Sequence, residues 1–193
     1  MSDFTASQTA VPLPSAELNL GGTSTSEKQF LTASASGGRA AGQPLACRIP
    51  GSNTLSNRCF TIVVAGRVTG GTTTNFTLNL YLGASTTISN NTEIATTGAN
   101  ALASLSGNFK LICECMWDST SGKLQGIMYG WVTTTAVAQV IMTSVTTKPV
   151  LSGETNLNLS SSAPDNSLTV TGTFSSGNAA NVAYVDTFEV LAE

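Results

Sequence analysis

The sequence predicts an all-β protein: an antiparallel two-sheet β-sandwich of jelly-roll type, preceded by an extended N-terminal arm. Three observations predict it. Apolar and polar residues alternate over several runs, the period of a strand with one buried face. Threonine recurs at the alternate, outward positions, which a half-buried pleated surface favours. No segment carries apolar residues at helical spacing. Several such strands separated by turn residues suit two packed sheets. An immunoglobulin-like sandwich is the near alternative, but its cysteine pair flanking a core tryptophan is not visible.

Residues 1–45 read as the arm and residues 46–193 as the sandwich. The arm mixes Pro12, Pro14 and Pro44 with Gly21, Gly22, Gly37, Gly38 and Gly42 and has no sustained period. Such a segment stays mobile unless something holds it. Residues 16–20 are its one candidate strand, with Leu18 and Leu20 alternating. Residues 59–68 then place Phe60, Ile62, Val64 and Val68 on one face, and Gly70-Gly71 marks a turn. Residues 75–82 are the cleanest strand, with Phe76, Leu78, Leu80 and Leu82 against Thr77, Asn79 and Tyr81.

Residues 83–107 read as a long polar connection. Residues 108–117 align Phe109, Leu111, Cys113, Cys115 and Trp117. A hairpin turn at 118–122 leads into residues 123–132, where Leu124, Met128 and Val132 oppose Ile127, Tyr129 and Trp131. Residues 137–145 and 155–159 are further strands. Residues 168–174 set Leu168, Val170 and Phe174 against Thr169, Thr171 and Thr173, and residues 182–191 close the sandwich.

Composition narrows the chemistry. The chain has 193 residues, of which only 10% are charged, and no histidine. Imidazole bases, Ser-His and Cys-His pairs and imidazole metal ligands are therefore excluded. Ser, Thr and Asn supply 66 residues, so hydroxyls and amides cover the surface. No apolar run reaches the ~18 residues of a membrane-spanning helix, and no secretory signal is visible at the N-terminus. The net charge of −3 is unevenly spread. Residues 28–92 carry Lys28, Arg39, Arg48, Arg58 and Arg67 with no acid, and the flanking segments are acidic. A basic face meeting an acidic face on a partner or a second copy would follow, with Arg39, Arg48, Arg58 and Arg67 as contact candidates. The arginines form no cluster and no aromatic stacking platform accompanies them, so nucleic acid is not an expected partner.

No catalytic residue, metal ligand or cofactor is assigned. Glu114 with Asp118, and Asp186 with Glu189, are the carboxylate pairs considered for glycosidase chemistry, but spacing alone sets neither across a cleft. No acidic calcium loop is present. Cys47, Cys59, Cys113 and Cys115 lack the paired spacing of zinc knuckles and are expected as free thiols, with a Cys47–Cys59 bridge left open. Tyr81, Tyr129 and Trp131 are candidates for an exposed aromatic row. Such a row packs against another subunit or stacks sugar rings.

Three stretches carry a resemblance. They are Ala65-Gly66-Arg67-Val68-Thr69-Gly70-Gly71-Thr72-Thr73-Thr74-Asn75-Phe76-Thr77-Leu78 with Leu80-Tyr81-Leu82-Gly83; Trp117-Asp118 with Lys123-Leu124-Gln125-Gly126; and Val170-Thr171-Gly172-Thr173-Phe174-Ser175-Ser176-Gly177-Asn178-Ala179-Ala180-Asn181. Together they resemble virion proteins of tailed bacteriophages, and among these the head decoration, or capsid cement, proteins. The resemblance spans about residues 60–190 and does not reach the arm. It implies a jelly-roll sandwich on the outside of an icosahedral capsid, bound to the major capsid protein as a homodimer or homotrimer. It implies no enzymatic activity, and the expected location is the capsid exterior of the virion after synthesis in the host cytoplasm. It assigns no functional residue by position. The alternative reading is a tail or fibre module that binds host-surface glycan through Tyr81, Tyr129 and Trp131.

Overall fold

A computed structural model of the chain describes residues 25–31, 46–49, 59–71, 74–83, 85, 87–102, 106–118, 123–134, 140–141, 146–147 and 166–192. Their strands, in chain order, are β1 (Lys28–Gln29), β2 (Ala46–Ile49), β3 (Cys59–Thr69), β4 (Asn75–Gly83), β5 (Thr92–Thr96), β6 (Asn100–Ala101), β7 (Ser106–Asp118), β8 (Lys123–Thr134), β9 (Val140–Ile141), β10 (Thr146–Thr147), β11 (Asn166–Phe174) and β12 (Val182–Ala192). A 3-10 turn at Ile88–Asn90 precedes β5.

Every pairing is antiparallel. One sheet runs β1-β11-β4-β5-β10, with β2 also on β11 and β6 also on β4. The other runs β12-β3-β7-β8-β9. The expected two-sheet sandwich is therefore the fold. The β7–β8 hairpin closes with Asp118 opposite Lys123, as the turn residues between them predict.

The core lies between the sheets and follows the predicted alternation. Ile62, Val64 and Val68 of β3 and Phe109, Leu111 and Cys113 of β7 face Phe76, Leu78, Leu80 and Leu82 of β4 and Leu168, Val170 and Phe174 of β11. Phe76 is the centre of an aromatic group, 5.2 Å from the Phe174 ring and 5.8 Å from the Phe109 ring. Tilted rings at these separations add to the burial energy.

Two elements depart from the sequence reading. The first lies within residues 83–107, which are not a plain connection. They hold β5, whose Ile94 and Ala95 are buried against the core, and β6. The run Thr92–Thr96 is short, and a register shift between Leu80 and Tyr81 of β4 interrupts its alternation, so no period marks it. The second lies within residues 1–45. Residues 25–31 sit on the sandwich: β1 pairs with β11, and Phe30 is fully buried in the core with its N–H on the Val170 carbonyl at 3.4 Å. The candidate strand at 16–20 and the boundary at 45 lie outside the described residues, as do residues 155–159 and most of 137–145.

The edge strand β12 carries a bulge. Its register on β3 shifts between Val185 and Thr187, so Asp186 has no counterpart. Buried positions change parity there, from Ala183 and Val185 to Phe188 and Val190. An extra residue has this effect because side chains alternate with a period of two. The bulge brings the Tyr184 carbonyl onto Gly66, where a Cβ would stand 1.9 Å from that oxygen. Only glycine fits this backbone approach.

Two stability changes follow, both measurable by urea unfolding. Phe30→Ala should cost ~3–5 kcal/mol, the range for deleting a buried aromatic ring, because Phe30 fills the core. Gly66→Ala should also destabilise, through the clash with the Tyr184 carbonyl. An unfolding midpoint unchanged by Phe30→Ala would show that the N-terminal segment is not part of the cooperative core.

Candidate functional site

The outer face of the β4–β11 pair is covered, which strand alternation alone does not foresee. Register sets Asn79 beside Thr171 and Tyr81 beside Thr169. All four point away from the inter-sheet core, yet Asn79 is 8% exposed, Tyr81 9%, Thr169 4% and Thr171 0%. Burying this many polar groups is tolerable only when they are hydrogen-bonded.

Glu27, one residue before β1, supplies most of the bonding. Its Oε1 accepts from Asn79 Nδ2 at 2.6 Å and from the Thr171 hydroxyl, and its Oε2 accepts from the Tyr81 hydroxyl at 3.0 Å. Tyr81 also lies 3.4 Å from Glu93 Oε2 on β5, across the register pair Tyr81–Glu93. Burial is the main force raising the Tyr81 phenol well above its usual range, and the hydrogen bond and charge of Glu27 and then Glu93 add to it.

A cleft of about 670 Å³ opens at this place. It is lined by Glu27, Lys28 and Gln29 at β1, by Tyr81 and Thr171 of the β4–β11 face, and by Thr87, Ile88 and Ser89 at the 3-10 turn. Local hydrogen bonds hold that turn. The Asn91 N–H donates to the Ile88 carbonyl at 2.8 Å, while the Asn91 side chain bonds Ser85 through both its amide atoms. The cleft is lined with carboxylate, ammonium, amide, hydroxyl and phenol groups around one aliphatic side chain. Such a lining offers hydrogen-bonding and charged groups beside apolar surface. Among the described residues, no group of three or more His, Cys, Asp or Glu side chains stands together.

The sequence-derived candidates scatter. Arg39 and Arg58 lie outside the described residues. Arg48 is on β2 opposite Ser167, where only the backbone is described. Arg67 is not an isolated charge. Its guanidinium makes a bidentate pair with Asp186, with both contacts at 2.9 Å, and lies 4.8 Å from the centre of the Tyr184 ring. This pair is on the outer face of the other sheet. Asp186 is thus the ion-pair partner of Arg67.

The three aromatic candidates do not make one row. Tyr81 is on β4 with its hydroxyl turned onto Glu27. Tyr129 and Trp131 are on β8, opposite Ile112 and Lys110, and thus belong to the other sheet. Cys59 is exposed and Cys113 buried, and neither is in a disulfide. Glu27, Glu93, Asn79 and the 3-10 turn were not singled out by sequence. The only signal was the polar set opposite the Phe76–Leu82 stripe.

Fold and site together define an antiparallel β-sandwich with a polar cleft on one outer face. No protein-family model matches the chain, and no curated protein matches it. Among solved structures, it is similar to the CBM2 module of the evolved Dit of Lactobacillus casei BL23 phage J-1. The identity is 12% and the TM-score 0.31, over 75% of this chain and 66% of that one.

The raised Tyr81 pKa has a definite sign in stability. The folded state holds the phenol proton more tightly than the unfolded chain, whose tyrosines titrate near ~10. The Tyr81 contribution is therefore complete below that range and is lost as pH rises above it. Stability should fall with alkaline pH less steeply in Tyr81→Phe than in the parent, as read by urea unfolding across that range.

Proposed function

We propose that the chain is a non-enzymatic β-sandwich module of a phage virion that binds a host-surface carbohydrate in the Glu27–Tyr81 cleft. The observation that carries this reading is the cleft itself. Its volume of about 670 Å³ falls in the range of small-ligand sites. Its lining offers amide, hydroxyl and carboxylate groups suited to sugar hydroxyls. The phage setting rests on the three sequence stretches described above. Residues on the cleft walls, such as Gln29 and Ser89, would contact the sugar, with Tyr81 held as a fixed hydrogen-bonding floor. Tyr129 and Trp131, on the other sheet, would serve subunit contact.

Capsid cementing is the second reading, favoured by the resemblance of residues 60–190 to head decoration proteins. Its partners would be the major capsid protein and a second or third copy of this chain. Abundance in purified virions separates the two. A copy number near that of the major capsid protein supports cementing, and one near that of tail proteins supports the carbohydrate reading.

Retention of the purified chain on immobilised host cell-wall polysaccharide tests the primary reading directly. Binding should be lost in Gln29→Ala and Ser89→Ala, which alter the walls without touching the core. No retention, or retention unchanged in both variants, rejects the cleft as a sugar site.

A further inference from the structure

Two short strands share one edge of β11, and their registers join. β1 sets Lys28 opposite Gly172 and Gln29 opposite Thr171, and the Phe30 N–H reaches the Val170 carbonyl. The next position along that edge, opposite Thr169, is held not by Leu31 but by Ala46 of β2, which runs on to Ile49 opposite Asn166. β1 and β2 are therefore two halves of one edge strand. The chain leaves the edge after Phe30 and resumes it at Ala46 in the adjoining position. Leu31, 43% exposed, marks the departure. Fifteen residues, 31–45, separate two points that a single peptide bond would join.

The seat of this segment is exacting. Phe30 is fully buried in the core, and the buried Asn79, Tyr81 and Thr171 side chains donate to Glu27. A β11 edge without the segment has a hole in its core and three donors deprived of that acceptor, and both defects are costly. The segment that fits carries a carboxylate three residues before an aromatic ring, as Glu27-Lys28-Gln29-Phe30 does. Every copy of the chain carries both the seat and the segment. Fifteen residues of extended chain reach up to about 50 Å, far beyond what a connection within one copy needs.

We propose that β1 exchanges between two copies of this chain, so that the Glu27–Phe30 segment of each lies on β11 of the other in a reciprocal homodimer. Exchange keeps every contact between β1 and β11 and alters only the linker and the entropy of association, which makes it a low-cost route to a dimer. A flexible linker holds its own β1 at an effective concentration on the order of millimolar. The closed chain therefore dominates in dilute solution, and exchange competes where copies are crowded to that level, as subunits of an assembly are. Phe30 has to leave the core for either form to convert, so an exchanged dimer separates slowly once made. The exchange also bears on the cleft. Glu27, Lys28 and Gln29 line it together with Tyr81 and Thr171, so in the dimer each cleft is built from two chains. The inference rests on strand register and burial and does not require the carbohydrate reading.

The test is a disulfide trap in the full chain. Gln29 and Thr171 are register partners, and the Phe30–Val170 hydrogen bond beside them makes theirs a non-hydrogen-bonded pair, the kind whose side chains stand closest. One chain carries Gln29→Cys and a tagged second chain carries Thr171→Cys, both with Cys59→Ser because Cys59 is exposed. Refolded together from urea at about millimolar concentration, diluted and then oxidised, they should give a disulfide-linked heterodimer. A chain carrying both cysteines, refolded dilute, should close an internal disulfide instead. Removal of residues 31–45 should keep that internal link and lower the heterodimer yield about tenfold or more, because β1 then cannot leave without β2. If the shortened chain fails to fold, the mixed point variants carry the test. An internal link without any heterodimer overturns the exchange. So does a heterodimer undiminished by the removal, or one formed equally when either variant is refolded with the Cys59→Ser parent. No internal link overturns the seating of β1 itself. Polysaccharide retention is scored separately: a linked heterodimer that retains none removes the carbohydrate reading alone, and retention by a chain that never links overturns the exchange alone.

Discussion

The pairing of β4 with β11 is the constraint on which the rest of the structure depends. Its inner face carries Phe76, Leu80, Leu168, Val170 and Phe174, which pack against the second sheet. Its outer face carries Asn79, Tyr81, Thr169 and Thr171, and these too are buried. A strand pair buried on both faces usually reads as continuously apolar. Here one face is polar, so its burial is tolerable only with a hydrogen-bonding cover. Glu27 provides that cover, and Phe30, three residues on, anchors the same segment in the core.

The opposite sheet solves a different problem. Among the described strands β12 is the edge of that sheet, and a sheet edge invites pairing with other chains. The bulge at Asp186 twists this edge and lets the carboxylate reach Arg67 on β3. The same bulge requires a residue without a side chain at position 66. Arg67 is thus committed within its own sheet, and its guanidinium is stacked near the Tyr184 ring. An exposed pair of this kind contributes little to stability, and its geometric role is the larger one.

These two faces divide the functional reading. The cleft on the β4–β11 face collects a carboxylate, an ammonium, an amide, a phenol and hydroxyls beside a locally braced 3-10 turn. The β3–β7–β8 face holds the positions of Tyr129 and Trp131. A virion module that binds a ligand on one face and packs on the other would use both. Low overall charge and a surface rich in hydroxyls and amides suit either contact.

By itself, the sequence determined the sandwich. Alternation in β3, β4, β7 and β11 names the core residues those four strands contribute, because a strand's side-chain period is a local property of the backbone. The turn at 118–122 was legible for the same reason, since its residues favour a tight reversal. The tertiary structure decided what lies over the outer faces. Glu27 meets Thr171 across 144 positions of chain and Asn79 across 52. No local period encodes such encounters. The same holds for Phe30, an isolated aromatic in a segment without a sustained period, and for Ile94, whose strand is too short and too irregular to announce itself. Tyr81 shows the difference most clearly. Alternation placed it correctly on the outer face of β4, and only the fold brought Glu27 and Glu93 to it, because sheet order is set by the packing of distant strands.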